Sequence, residues 1–151
     1  MRLLPVPLSV RRSLAHAIHA NTIVGEAADR ANPVGGPWEV VWRIEGLRFQ
    51  RLPIPPEVVG GEVDSGVANG TNGEVHVGSY DVWVSCCYRE NFAAAWVGDP
   101  PQFVKLVDFL PESIAGASCT ATGIDEEGNI VGWAYTLLGG NYPLIWKPIK
   151  R

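Results

Sequence analysis

Charge is scarce in this chain. Asp, Glu, Lys and Arg make up only 19% of its 151 residues, below the quarter usual for globular proteins. The 12 Lys and Arg against 16 Asp and Glu leave a formal net charge of −4, so the basic excess of a nucleic-acid surface is missing and no nucleic-acid partner is expected. Methionine is reduced to a single residue. No apolar run approaches the ~20 residues that cross a bilayer, so no membrane span is expected. The apolar stretch Leu3 to Val10 is broken by Pro5 and Pro7 and is followed by Arg11-Arg12. A secretory signal has its charge first, so none is expected here, although Ala15-His16-Ala17 resembles a cleavage site. Cysteine is limited to Cys86, Cys87 and Cys119. Neighbouring cysteines rarely bond to each other, one of the pair could reach Cys119, and three free thiols is the simplest reading. There is no CxxC and no Cys/His ligand spacing, so no metal and no other cofactor is expected. No GxSxG, HExxH, P-loop or GxGxxG occurs, and no catalytic residue can be named.

What remains is rich in turn formers and aromatics. Gly 17, Pro 12 and Trp 6, with 46% hydrophobic residues, describe a folded all-β chain of short strands and many turns. The length suits a single domain over residues 1–151.

An internal repeat organises the chain. Ala15, Ala68 and Ala121 lie 53 residues apart, and Ala17, Gly70 and Gly123 keep the same steps. Gly25, Gly78 and Gly132 follow at steps of 53 and 54. Downstream, Trp38 to Trp42, Phe92 to Trp96 and Tyr142 to Trp146 each open on an aromatic and end on Trp. The repeats run over about 13–53, 66–111 and 119–151.

Each repeat reads as four antiparallel strands. Strand a surrounds Ala15, Ala68 or Ala121. A tight polar turn follows at His19 to Asn21, Asn72-Gly73 or Asp125 to Gly128. Asn-Gly suits a type I′ hairpin, whose central residues both need positive φ. Strand b holds Ile23-Val24, Val75 to Val77 or Ile130-Val131, and its trailing Gly would let another backbone approach closely. Strand c carries the Trp. Strand d spans Leu47 to Pro53 or Phe103 to Pro111. The third repeat has no d of its own, whereas Arg2-Leu3-Leu4-Pro5 resembles the end of one. Arg2 to Val6 is therefore expected to pair beside Leu144 to Lys147, within one chain or between two.

The third copy, Ala121 to Ala134 followed by Pro143-Leu144-Ile145-Trp146, resembles the HAF repeat. That pattern is Ala-x-(Gly/Ala)-Ile-Asn-x-x-Gly-x-(Ile/Val)-Val-Gly and then His-Ala-Phe-(Leu/Ile)-Trp. Ala15 to Gly25 and Ala68 to Gly78 are weaker copies, and Trp-Glu-Val, Phe-Ala-Ala and Tyr-Pro-Leu replace His-Ala-Phe. The resemblance implies four-stranded propeller-like blades in a bacterial, extracellular protein. Propellers have ~4–8 blades, so three repeats imply a fragment of a larger ring, a homodimer that completes one, or a β-trefoil instead.

The recurring Trp42, Trp96 and Trp146 read as core, as do Trp38, Phe92 and Tyr142. Aromatics that do not recur, near the b–c loops, read as candidate ligand-binding residues: Tyr80, Trp83, Trp133 and Tyr135, with Tyr88 beside them. Such rings supply contact area at low entropic cost, which suits a glycan or a protein partner. Asp125, Glu127 and Asn129 offer too few oxygens for calcium and read as a solvated turn. His16, His19 and His76 have no ligand spacing. The expectation is a non-catalytic binding or scaffold module. An enzyme with its site on a central propeller axis is the competing reading.

Overall fold

The computed structural model describes residues 3–31, 36–55, 62–85, 88–136 and 139–148. Among the described residues, the strands form three antiparallel sheets. Sheet 1 is β1 (Val10–His19), β2 (Thr22–Asp29), β3 (Trp38–Arg43) and β4 (Arg48–Arg51). Sheet 2 is β5 (Glu62–Thr71), β6 (Val75–Ser85), β7 (Tyr88–Val97) and β8 (Gln102–Lys105). Sheet 3 is β9 (Ser118–Ile124), β10 (Ile130–Thr136) and β11 (Gly140–Trp146). Each is a meander, so a, b, c and d are neighbours in sequence and in space.

The sheets share one device. At the same place in each a–b pairing the register slips by a residue, beside Ala15/Ala17, Ala68/Gly70 and Val131/Gly132. The extra residues of the bulge are His16, Asn69 and Thr122. Opposite each stands the trailing Gly of strand b. A Cβ on Gly25, Gly78 or Gly132 would strike the backbone carbonyl of Leu14, Val67 or Thr120. Only Gly lets the bulged strand come this close.

The sheets stack on one another through their a strands. β5 packs against β1, β2 and β3, and β9 packs against β5, β6 and β7. Val24, Val41, Leu52, Ala68, Tyr80 and Trp96 fill the first junction. Val77, Ala93, Ala95, Leu106, Cys119 and Ala121 fill the second. Removing a side chain such as Leu52 from water contributes ~1.5–3 kcal/mol. The recurring tryptophans are locked from both sides. Their rings are buried, and each indole N–H donates to a backbone carbonyl: Trp42 to Pro5 at 3.0 Å, Trp96 to Pro53 at 2.7 Å, Trp146 to Leu106 at 3.2 Å.

Five expectations are corrected. The stack does not close into a propeller, and its sheets are unequal: the third has three strands, and β6 runs 11 residues against 8 in β2 and 7 in β10. Nor do strands of different repeats pair among the described residues, as the barrel of a trefoil requires. The N-terminal segment does not supply the missing strand. Arg2 lies outside the described residues, and Leu3–Val6 forms no strand. Leu4 packs instead on the Trp42 cluster of sheet 1, where Pro5 accepts the Trp42 indole. Leu4-Pro5 thus stands to Trp42 as Leu52-Pro53 stands to Trp96. The second d strand is shorter than expected, because Leu106–Phe109 turns into a 3₁₀-helix that buries Leu106 and Val107. Finally, the Asn72-Gly73 turn is not type I′. Only Gly73 has positive φ, at 98°, and the Asn72 side chain accepts the backbone N–H of Val75 at 2.9 Å.

Candidate functional site

Alternation along a strand decides where each candidate aromatic points. On β6, Tyr80 shares the face of Val82 and looks into the first junction. It is fully buried between Phe92 and Phe103, with centroids 5.8 and 5.5 Å away. Burial raises its phenol pKa well above the ordinary value, and its hydroxyl has no partner. Tyr80 is therefore core, a correction to its reading as a ligand contact. Trp83 lies at the far end of β6, half-buried under the Arg89 guanidinium at 4.1 Å, and Arg89 pairs with Asp64 at 2.7 Å. Trp133 and Tyr135 sit two residues apart on β10 and share the outer face of sheet 3, both half-exposed.

A groove of about 650 Å³ opens where β7 begins and β10 and β11 meet. Tyr88 and Glu90 form one wall, Tyr135 and Tyr142 line the other, and residues 113–118 complete it. All three tyrosines are partly exposed. The structure thus brings Tyr135 and Tyr88 together, leaves Trp133 alongside on the sheet, and keeps Tyr80 and Trp83 in sheet 2. Tyr142 had read as core. Its repeat equivalents Trp38 and Phe92 are half-buried, Phe92 against both junctions, whereas Tyr142, opposite Ala134, is 40% exposed and lines the groove.

A second polar constellation lies in the first junction. Glu39 on β3 is directly opposite Glu26 on β2 and is fully buried. Its carboxyl presses on the α-carbon of Gly66 in β5, leaving no room for a Cβ there. Burial pushes its pKa up to about 8. The Asp81 charge adds to the rise, while its own backbone N–H and Arg51 oppose it. Glu39 is thus a neutral acid at pH 7, and Oε1 has no hydrogen-bond partner. A cavity of about 210 Å³ beside it is lined by Arg51, Asp64 and Ser65 among others. Nearby, Asp81 accepts from Ser65 Oγ at 2.6 Å and Asn91 Nδ2 at 2.7 Å, and Asn91 accepts from Thr120 of sheet 3. No sequence motif marks this cluster, because its members come from separate strands of all three sheets.

The histidines and the acidic turn have local roles. His76 is buried, shares a 2.9 Å hydrogen bond with Thr71, and has its pKa lowered to about 4 by burial and by the Arg43 charge. His16 lies 3.8 Å from Glu26. Asp125 accepts from the backbone and side-chain nitrogens of Asn129, both at 2.7 Å, which holds its carboxyl below the usual range. Among the described residues, no three His, Cys, Asp or Glu side chains gather as a metal site, and no helix is long and apolar enough to cross a membrane. Cys119 is a free, buried thiol, and Cys86 and Cys87 lie outside the described residues. Compared with known proteins, the chain matches no protein family, no curated protein and no solved structure.

Proposed function

We propose that the chain is a non-catalytic binding module built from HAF-like, propeller-like blades, and that it recognises a glycan in the tyrosine groove. The bacterial, extracellular setting implied by the repeat belongs to the same reading. The observation that carries it is the convergence of Tyr88, Tyr135 and Tyr142 around one open groove beside Glu90. Tyrosine rings offer flat apolar faces to sugar C–H groups, and their hydroxyls, with Glu90, offer hydrogen bonds to sugar hydroxyls. The sheets beneath are rigid, which keeps the ordering cost of binding low. The test is a glycan array followed by titration of the best hit. Tyr142→Ala and Tyr88→Ala should each weaken binding about tenfold or more, while Trp83→Ala leaves it unchanged. A blank array, or a hit indifferent to both tyrosines, would overturn the reading.

Catalysis is the second reading, and Glu39 is what favours it. A neutral carboxyl that shares a cavity with Asp64 is a group that acid–base chemistry could use. Its test is loss of any hydrolytic turnover in Glu39→Gln with the fold intact.

A further inference from the structure

The uncovered outer face of sheet 3 belongs to a series. In sheet 1 the equivalent face, around Val24 and Val41, seats β5 of sheet 2. In sheet 2 the face of Val77, Ala93 and Ala95 seats β9 of sheet 3. The same repeat positions on sheet 3 are Val131, Pro143 and Ile145, with Trp133 between them. Val131, Trp133 and Ile145 are 47%, 40% and 57% exposed. These are cross-strand neighbours, Val131 opposite Ile145 and Trp133 opposite Pro143, so they form one apolar patch. An isolated exposed Leu or Ile needs no explanation, whereas a contiguous patch at an interface position does.

The complementary surface is at the other end of the stack. Ala68 and Ala121 are completely buried where the a strand meets the preceding sheet. Ala15, their equivalent on β1, is exposed, and Ile18, on the same face through its pairing with Ile23, is 65% exposed. Sheet 1 therefore presents an a strand with no sheet to seat it, and sheet 3 presents a seat with no a strand on it. Both surfaces continue an interface that the chain builds twice within itself.

We infer that a second copy of this chain docks head to tail, β1 of one copy seated on the Val131–Trp133–Ile145 face of the other. The contact is heterologous: one copy contributes its first sheet and the other its third. A pair closes when both junctions form, which gives six stacked sheets, within the ~4–8 blades that closed propellers use. This inference does not depend on the glycan reading, since it concerns mass rather than ligand binding.

Sedimentation of the purified chain tests it. The expected mass is twice the 16.3 kDa of one chain. Trp133→Glu should place a charge in the seat, and Ala15→Glu should place one on the strand that enters it. Each variant alone should sediment as a monomer with the far-ultraviolet dichroism of the parent. Mixed together they should recover a dimer, because Trp133→Glu retains a sound β1 and Ala15→Glu retains a sound seat. A parent chain that stays monomeric at millimolar concentration overturns the inference. So does a dimer that both variants leave intact. A dimer broken by Trp133→Glu but not by Ala15→Glu also overturns it, since that pattern means two third sheets meeting face to face. Should either glutamate variant lose its dichroism, Ile145→Lys and Ile18→Lys take their places with the same outcomes.

Discussion

The two junctions of the stack are built on one framework and filled differently. At the first, sheet 2 looks back with Tyr80 and Trp96, and Leu52 from the end of the preceding repeat closes the gap. At the second, sheet 3 looks back with Ala134 in place of Tyr80. The space is taken by Leu106 and Val107 of the 3₁₀-helix, over an alanine-rich floor of Ala93, Ala95 and Ala121. The bulge, the Gly and the Trp fix how the strands approach, and the filling varies around them. The first junction also holds an acid, Glu39, where the second has Ala93. The polar content of a junction can therefore change without loss of the stack.

The largest effect should come from the tryptophans. Trp96→Ala removes a fully buried ring and its hydrogen bond to Pro53, and should cost ~3–5 kcal/mol in urea unfolding. Trp146→Ala should cost less, because Trp146 is 9% exposed whereas Trp96 is completely buried. Equal losses would mean that the junctions are energetically alike and would undo the comparison.

The acid should come next. The folded-state pKa of Glu39 is raised from 4.5 to about 8, so its proton is held more tightly in the folded chain. Its contribution is complete below pH 4.5 and is lost as pH rises through about 8. His76 works in the opposite sense. Its pKa falls from 6.5 to about 4, so stability is lost as pH drops through that window. The two oppose each other between pH 4.5 and 6.5. Only Glu39 acts between pH 6.5 and about 8, where unfolding free energy should fall by about 1.4 kcal/mol per pH unit. Glu39→Gln should flatten that limb and leave the acid limb in place. If the Glu39→Gln variant kept the slope of the parent, the titration would lie elsewhere.

Cys119 should give the smallest change. Its sulfur accepts the Ala93 N–H at 3.3 Å inside the second junction, and burial raises the thiol pKa. Cys119→Ala trims a small side chain beside other alanines and should cost ~1 kcal/mol. Peptide mapping after iodoacetamide treatment should find Cys119 modified only when denaturant is present. Rapid alkylation of the native protein would show that the second junction opens more readily than its packing implies.

The sequence by itself determined the repeat and the order of its strands. Ala15, Ala68 and Ala121, Gly25, Gly78 and Gly132, and the terminal Trp of each strand c depend on neighbours within one repeat, so they are legible as spacing. Even the likeness of Leu4-Pro5 to Leu52-Pro53 was visible in the residues. Where that segment docks was not, because the carbonyl that meets Trp42 is fixed by packing between elements 37 residues apart. The roles of the aromatics divide in the same way. Tyr80 and Trp133 look alike as non-recurring rings near a loop, yet one looks into a junction and the other out of the stack. Tyr142 resembles Trp38 and Phe92 in sequence, yet it lines an open groove. Only the tertiary structure decided these cases: a strand's alternation assigns a residue to a face, but stacking decides whether another sheet removes that face from water.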